Sequence, residues 1–520
     1  MNMKKLIAGT LAALAAGVSA AAGVSVDFTR DCGRVKPLHG VNNAPMRVGE
    51  NPQWEFAEAG IPYMRTHDSA GMWGGTHYVD IPNIFPDFDA DENDPKSYDF
   101  AFTDAWLTNI VAAGTEVFYR LGVTIENYHR IKAYNIYPPK DFAKWARICE
   151  HIVRHYNEGW ADGYRWGIDY WEIWGEPENP PLWKGTREQY FELYRIAANH
   201  LKRCFPEIKV GGYGSCGFYA IDSEGGVEST PFRKSFVTWF EEFLKYVTDS
   251  KTKAPLDFFS WHLYVKETPE RIARHAAYVR RMLDAAGLAK TENVFDEWNR
   301  IGKSWTAYDE MKSEVGAACV AEAFCLMQRS SIDKAMYYDA LPTRVYCGIL
   351  NFGDKKESRT TTYHAFRYWN GLYRLGTAVE SAADAPHLDV AAAKNEKGGK
   401  AVLLVNDTPE TRTVELALKG ADGAKFSLYL LDDDHDGFAG VPCDPSKPLA
   451  LAPFMTALLT TEPMPVTASR APVRRTFAGQ DDSKDFDRAG GRMGVGDALA
   501  QERRRAPSRE GRRSQGESRP

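Results

Sequence analysis

Short apolar runs alternate with longer stretches whose apolar positions recur at helical spacing, and this alternation governs most of the chain. Candidate strands fall at 38–42, 61–66, 115–121, 170–174, 208–213, 256–264, 292–298 and 332–339. Helical patterns lie at 51–59, 102–113, 138–156, 187–204, 231–247, 269–286, 307–328 and 361–373. Such alternation predicts an α/β fold, a (β/α)8 TIM barrel, which needs about 250 residues plus insertions. Thr186 and Gln189 form a capping box at one helix start, and Thr268-Pro269 reads as an N-cap with proline at the first helical position.

Past residue 376 the pattern changes to short alternating runs at 401–405, 413–417, 425–431 and 456–460, separated by Gly, Asp and Pro. These predict a C-terminal β-sandwich over 376–462, after a barrel over 23–375 whose first strand, near 24–28, is also a candidate for the sandwich. From 463 to 520 apolar periodicity gives way to Arg, Gly, Ser and Asp, which predicts a disordered tail. At the other end, Lys4 and Lys5 precede an apolar run to Val18 and the small residues Ser19 to Ala22. Residues 1–22 read as a signal peptide, giving an exported, periplasmic or extracellular protein. No run approaches the roughly 20 apolar residues of a membrane span.

The net charge of −6 and pI near 6.1 leave no basic face for a nucleic-acid partner. Eight cysteines are scattered without CxxC or zinc spacing, and several lie in apolar segments where free thiols pack as small hydrophobes. No cofactor or metal is expected. Gly212 to Gly217 matches GxGxxG, but no amphipathic helix follows directly. Asp432, Asp434, Asp436 and Gly437 resemble half a calcium loop, yet Cys443 stands where a bidentate Glu is needed, so a hairpin turn is expected. Asn406-Asp407-Thr408 is a glycosylation sequon. Oligomeric state is not legible.

Chemistry concentrates in Trp171-Glu172-Ile173-Trp174-Gly175-Glu176-Pro177-Glu178-Asn179, where a strand stops and leaves Glu176 at its C-terminal end. Glu297, in Phe295-Asp296-Glu297-Trp298-Asn299, occupies the equivalent place on the seventh strand. Strand ends form the mouth of such a barrel, where catalysis is done. Two carboxyl groups about 5 to 5.5 Å apart there make a retaining glycosidase pair. Burial among apolar rings is expected to raise the pKa of Glu176 for acid work. The long loop 71–100, with Trp73, His77, Tyr78, Phe85 and Phe88, reads as a lid or wall over that mouth.

The segment from Tyr170 to Tyr194, with Trp-Glu-Ile-Trp, Glu176-Pro177, Leu182-Trp183 and Gln189-Tyr190-Phe191, resembles the acid/base region of glycoside hydrolase family 39. His39-Gly40-Val41-Asn42, Arg65-Thr66-His67-Asp68, Trp261-His262-Leu263-Tyr264 and Asp296-Glu297-Trp298-Asn299 extend the resemblance in order along the chain. It implies Glu176 as general acid/base and Glu297 as nucleophile, with His67, Asp68, His262, Tyr264 and Trp298 around the sugar, Tyr264 holding the nucleophile. The family's clan usually places Asn before the acid/base Glu, its amide on the sugar 2-hydroxyl; here Gly175 stands there, with Asn179 or Glu178 as substitutes. The implied activity is exo-hydrolysis of oligosaccharides or other glycosides, most like a β-xylosidase. Arabinosidase, β-glucosidase, β-galactosidase and α-L-iduronidase specificities stay open, the last needing a cation for a uronate, as does a sugar-binding pseudoenzyme.

Overall fold

The computed structural model of the protein describes residues 21–45, 53–67, 79–125, 135–222, 230–265, 269–300, 308–342, 348–351 and 358–465. The first strand, β1 (Ala22–Arg34), belongs to a separate sheet. Eight parallel strands follow and close into a barrel: β2 (Gly40–Asn42), β3 (Tyr63–Arg65), β4 (Glu116–Leu121), β5 (Tyr170–Ile173), β6 (Lys209–Ser215), β7 (Phe258–Val265), β8 (Glu292–Arg300) and β9 (Lys334–Tyr337). They run in sequence order, and β9 pairs back onto β2. The helices are α1 (Trp54–Ala59), α2 (Ile81–Ile84), α3 (Ala101–Val111), α4 (Phe142–Asn157), α5 (Arg187–Cys204), α6 (Pro231–Thr248), α7 (Glu270–Ala285), α8 (Tyr308–Lys312), α9 (Glu314–Arg329) and α10 (Thr361–Tyr373).

Side chains of a strand alternate between its faces, and here the alternation sorts chemistry. Phe118, Tyr170, Phe258, Val294 and Met336 form an apolar cluster of their own inside the barrel. Their neighbours Tyr119, Trp171, Phe259, Phe295 and Tyr337 join the core beneath the helices. Two residues further along, on the inward side, stand Arg120, Glu172, Ser260 and Asp296, all buried and all polar. An apolar plug therefore floors a polar layer at the C-terminal ends of the strands.

Several local expectations are met in detail. Thr186 Oγ1 accepts from Gln189 N at 3.2 Å while Gln189 Oε1 accepts from Thr186 N at 2.8 Å, the reciprocal box that starts α5. The helix expected over 307–328 is two, because Ser313 Oγ takes the Val315 N–H and restarts the chain as the N-cap of α9. Pro269 is itself the N-cap of α7; Thr268 lies outside the described residues. Phe85 and Phe88 of the long loop do not roof the mouth. Phe85 packs on Tyr98 with centroids 4.8 Å apart, and Lys144 of α4 lies 5.7 Å from the Phe88 ring, so both help cover the barrel's flank. Trp73, His77 and Tyr78 lie outside the described residues.

The second layer comprises β1 with β10 (Thr377–Ala383), β11 (Leu388–Lys394), β12 (Lys400–Asn406), β13 (Arg412–Lys419), β14 (Phe426–Leu431), β15 (Asp436–Cys443), β16 (Leu449–Leu451) and β17 (Thr456–Thr460). Its order is β15-β14-β17-β12-β11-β10-β1-β13-β16, with β1 antiparallel to β10 and parallel to β13. One face closes on itself as a sandwich core of Val24, Val26, Phe28, Val390, Leu404, Val414 and Leu459. The opposite residues Ala391, Ala401, Leu403, Val405 and Leu458 join the barrel's own core with Phe324 and Trp369 of α9 and α10. Asp432 Oδ1 accepts from Asp434 N and His435 N, closing the β14–β15 hairpin. Asn406 is fully buried, its amide donating to the Glu410 and Ala452 carbonyls at 2.8 Å each, so the sequon is not open to modification in the folded chain.

The seven described cysteines are free thiols, and Cys347 lies outside the described residues. No described helix is long and apolar enough to cross a membrane. Residues 1–20, which hold most of the expected signal peptide, and those from 466 onward fall outside the described residues.

Candidate active site

Beyond β5 the backbone turns sharply. Trp174 and Glu176 adopt φ of 71° and 44°, a conformation a bulky residue holds only where its surroundings fix it. The fixing is visible. Glu176 N–H points at the carbonyls of Gly214 (2.9 Å) and Tyr213 (3.1 Å) on β6, and Trp174 Nε1 donates to Leu182 O at 2.8 Å. The carboxylate of Glu176 then receives His262 Nδ1 at 2.8 Å and Asn179 Nδ2 at 2.9 Å.

Glu297 reaches the same space by a different device. The pairing of β8 slips between Ser260 and His262 on β7 and between Phe295 and Trp298 on its β9 side. Such irregularities re-aim side chains. Asp296 and Glu297 both meet the polar layer, while Trp298 turns outward, fully buried against Phe295, Phe324 and Tyr337. The expected sugar-facing tryptophan is thus a core residue. Glu297 Oε1 accepts from Tyr264 Oη at 2.7 Å; Oε2 lies 3.2 Å from Arg65 Nη1, 3.3 Å from His67 Nε2 and 3.6 Å from His262 Nδ1. A carboxylate oxygen of Glu176, one of Glu297 and a His262 nitrogen all fall within 4.8 Å of one another. Asp68 lies outside the described residues.

Under this pair sits a charge network that the sequence motifs contained without revealing. Arg65, fully buried, donates Nε to Glu172 (2.8 Å), with Asp296 Oδ2 ion-paired 2.9 Å from the same nitrogen, and donates Nη1 to Asn42 (3.1 Å) and Glu297. Burial works against its charge, but Asp296, Glu172 and Glu297 outweigh burial and hold the guanidinium charged. Burial and the Glu172 charge push the Asp296 carboxyl well up, despite Arg65. Glu172 stays ionised below its ordinary range because Arg65, Asp296 and Ser260 overcome burial. Ser260 Oγ donates to Glu172 Oε1 at 2.6 Å.

Two histidines take opposite states. Burial and the nearby Arg65 and Arg120 charges drive His67 well below its usual value, so it is neutral. Burial also opposes the His262 charge, but Glu297, Glu176 and Asp296 raise it to about 9, making it an imidazolium at neutral pH. That cation reverses the expectation for Glu176. Burial does push this carboxyl up, yet the His262 and Asn179 hydrogen bonds prevail and hold it below the ordinary range. Glu178, two residues on, is raised by burial to about 8 and accepts from Ser215 Oγ and Cys216 N at 2.8 Å.

Period-two phasing from Tyr170 would have flagged Glu172 as inward. Nothing in the sequence flagged Ser260 or Tyr338, whose ring lies 6.2 Å from that of His67 and 6.5 Å from that of Tyr264.

The sequence profile of the glycosyl hydrolases family 39 matches residues 55–320, more than half the chain and the whole run from β3 through the Glu297 strand. The chain belongs to this family. Among family 39 and related proteins, it is 25% identical over 321 residues to a beta-xylosidase of Caldicellulosiruptor saccharolyticus, covering 56% of this chain and 60% of that one. A beta-xylosidase of Geobacillus stearothermophilus is 26% identical over 204 residues, 37% of this chain and 36% of the relative. The chain thus spans less than two thirds of the length of either relative. In fold, a glucosidase from Croceicoccus marinus superposes with a TM-score of 0.69 at 23% identity, over 85% of this chain and 98% of that one.

Proposed function

We propose that the protein is a retaining exo-glycoside hydrolase acting by double displacement, most like a β-xylosidase that releases xylose from oligosaccharides. The observation that carries this reading is the pair Glu176 and Glu297, with carboxylate oxygens within 4.8 Å across the barrel mouth. That spacing suits direct attack on the anomeric carbon better than the roughly 6.5 to 9.5 Å that leaves room for an inverting water. Family membership and the names of the two curated relatives favour a xyloside. A uronate is disfavoured, because among the described residues the two cations facing the pair, Arg65 and His262, already meet Glu172, Glu297 and Glu176.

In this mechanism Glu297 attacks, its Oε1 fixed by Tyr264 and its charge partnered by Arg65. The proton for the leaving oxygen resides on the Glu176–His262 dyad. In the free site it is on His262, held there chiefly by the Glu297 charge against burial. Attack consumes that charge just as negative charge grows on the leaving oxygen beside Glu176, so the proton moves from Nδ1 through Oε1 to the departing group. Glu176, left ionised, then deprotonates the water that frees the sugar from Glu297.

A screen of nitrophenyl glycosides with wild type and Glu297→Ala tests this. Wild type should turn over the β-xyloside, Glu297→Ala should lose at least about 10³-fold in kcat, and azide should rescue it with an inverted glycosyl azide. Near-normal turnover by the variant would overturn the assignment.

A further inference from the structure

Glu178 is a buried acid in a costly place. It is 8% exposed, its Oε1 accepts from Ser215 Oγ and Cys216 N at 2.8 Å each, and its Oε2 is buried with no hydrogen-bond partner among the described residues. Burial, with the Glu176 charge added to it, raises the carboxyl to about 8, so at neutral pH it is mostly protonated. A buried polar atom left unmet lowers stability, and in a native structure it calls for a reason. The reason lies in what the other oxygen holds.

The chain leaves β5 through two left-handed residues, Trp174 and Glu176, and the turn they make is tied to the end of β6 at two places. Glu176 N–H meets the Tyr213 and Gly214 carbonyls, and Glu178 Oε1 takes the next two groups along the same strand end, Ser215 Oγ and Cys216 N. Pro177 between them has no N–H to give, so the second tie is made by a side chain. Losing it frees a strained turn to relax, and the Glu176 carboxylate then shifts off His262 and Asn179, which hold its two oxygens. We propose that Glu178 is a positioning residue, a latch that ties the acid/base turn to β6 and thereby aims the Glu176 carboxyl at the leaving-group oxygen. A protonated latch does this without adding another negative charge beside Glu176, and it presents to β6 the same neutral oxygen acceptor as a glutamine amide. The inference rests on the glycosidase reading above.

Two substrates separate positioning from general damage. The departing sugar oxygen of xylobiose needs the proton of the acid/base, whereas the phenolate of dinitrophenyl β-xyloside leaves without one. In Glu178→Ala, kcat/KM for xylobiose should fall about 10- to 100-fold and that for the dinitrophenyl xyloside by less than about 3-fold. Glu178→Gln should rescue the xylobiose rate. An equal fall on both substrates, no fall on xylobiose, or a Gln variant as slow as Ala would overturn the latch. Ser215→Ala removes one of the two donors and carries the same test if Glu178→Ala does not fold: its loss should be selective for xylobiose and about 3- to 10-fold, the worth of one neutral hydrogen bond, and an equal loss on both substrates or none would overturn the proposal. Hydrogen exchange across residues 174–179 reads the latch without turnover. Glu178→Ala should speed it at least about 10-fold while Glu178→Gln leaves it slow; unchanged exchange in the Ala variant would overturn the latch. A wild type that hydrolyses neither substrate yet shows this exchange pattern would sink the hydrolase reading and leave the latch standing.

Discussion

At the scale of single residues, the site is a problem of excess negative charge solved by two cations in fixed places. Glu172, Asp296, Glu297 and Glu176 crowd a space that holds Arg65 and His262, and burial with the Glu172 charge pushes the Asp296 carboxyl well up. His262 then governs pH dependence. The free enzyme needs a proton on the Glu176–His262 dyad, so kcat/KM should fall as pH rises through about 9, the value to which the surrounding carboxylates lift His262. In His262→Asn the proton rests on Glu176 alone, and the alkaline limb should move to lower pH; an unmoved limb in a pH–rate profile would contradict this. The same shift carries a stability term. Because the folded value is raised above the ordinary 6.5, the contribution is complete below 6.5 and is lost as pH rises through about 9.

How much of this was legible follows from what each residue depends on. Glu176 and Glu297 stand at strand ends beside Gly and Trp signals, which one strand reveals by itself. The role of Arg65 depends on where β3 stands against β5 and β8, two and three barrel positions away, and no local pattern carries that. The state of Glu176 was misjudged for the same reason: burial was readable, but the imidazolium 2.8 Å away on β7 was not. Trp298 was misplaced because a slip in pairing, invisible in the sequence, turns it out of the site.

At the scale of elements, the eight barrel strands were readable because each is a short apolar run bounded by turn residues. β10 and β11 escaped because Thr377–Ala383 and Leu388–Lys394 are rich in Ala, which has little strand preference; their partners, not their own residues, make them strands. Helix ends were clearer where a side chain closes the first turn. The box at Thr186 starts α5, whose residue Tyr190 donates to the Ile173 carbonyl at 2.9 Å just before the Glu176 turn. Thr186→Ala should cost about 1 kcal/mol in urea unfolding, with little change in kcat. No loss of stability would show that the cap is idle.

At the scale of the molecule, the sandwich and the barrel share a core through α9 and α10, and β1 couples the sheet's two sides by pairing with both β10 and β13. All 14 tryptophans precede residue 370, so their fluorescence reports the barrel and its flanks rather than the sandwich. Val26 is 2% exposed in the sandwich core. Val26→Asp buries an unpaired carboxyl and should destabilise by at least about 3 kcal/mol. If the two layers unfold together, tryptophan fluorescence should register that loss in full; an unshifted fluorescence transition would mean that they unfold separately.

The central claim is that Glu297 and Glu176 form a retaining pair, and the stereochemistry of the first product tests it most directly. Proton NMR of early β-xyloside hydrolysis should show β-xylose forming first and the α anomer growing in only by mutarotation. Initial release of α-xylose would mean that water, not Glu297, attacks the anomeric carbon.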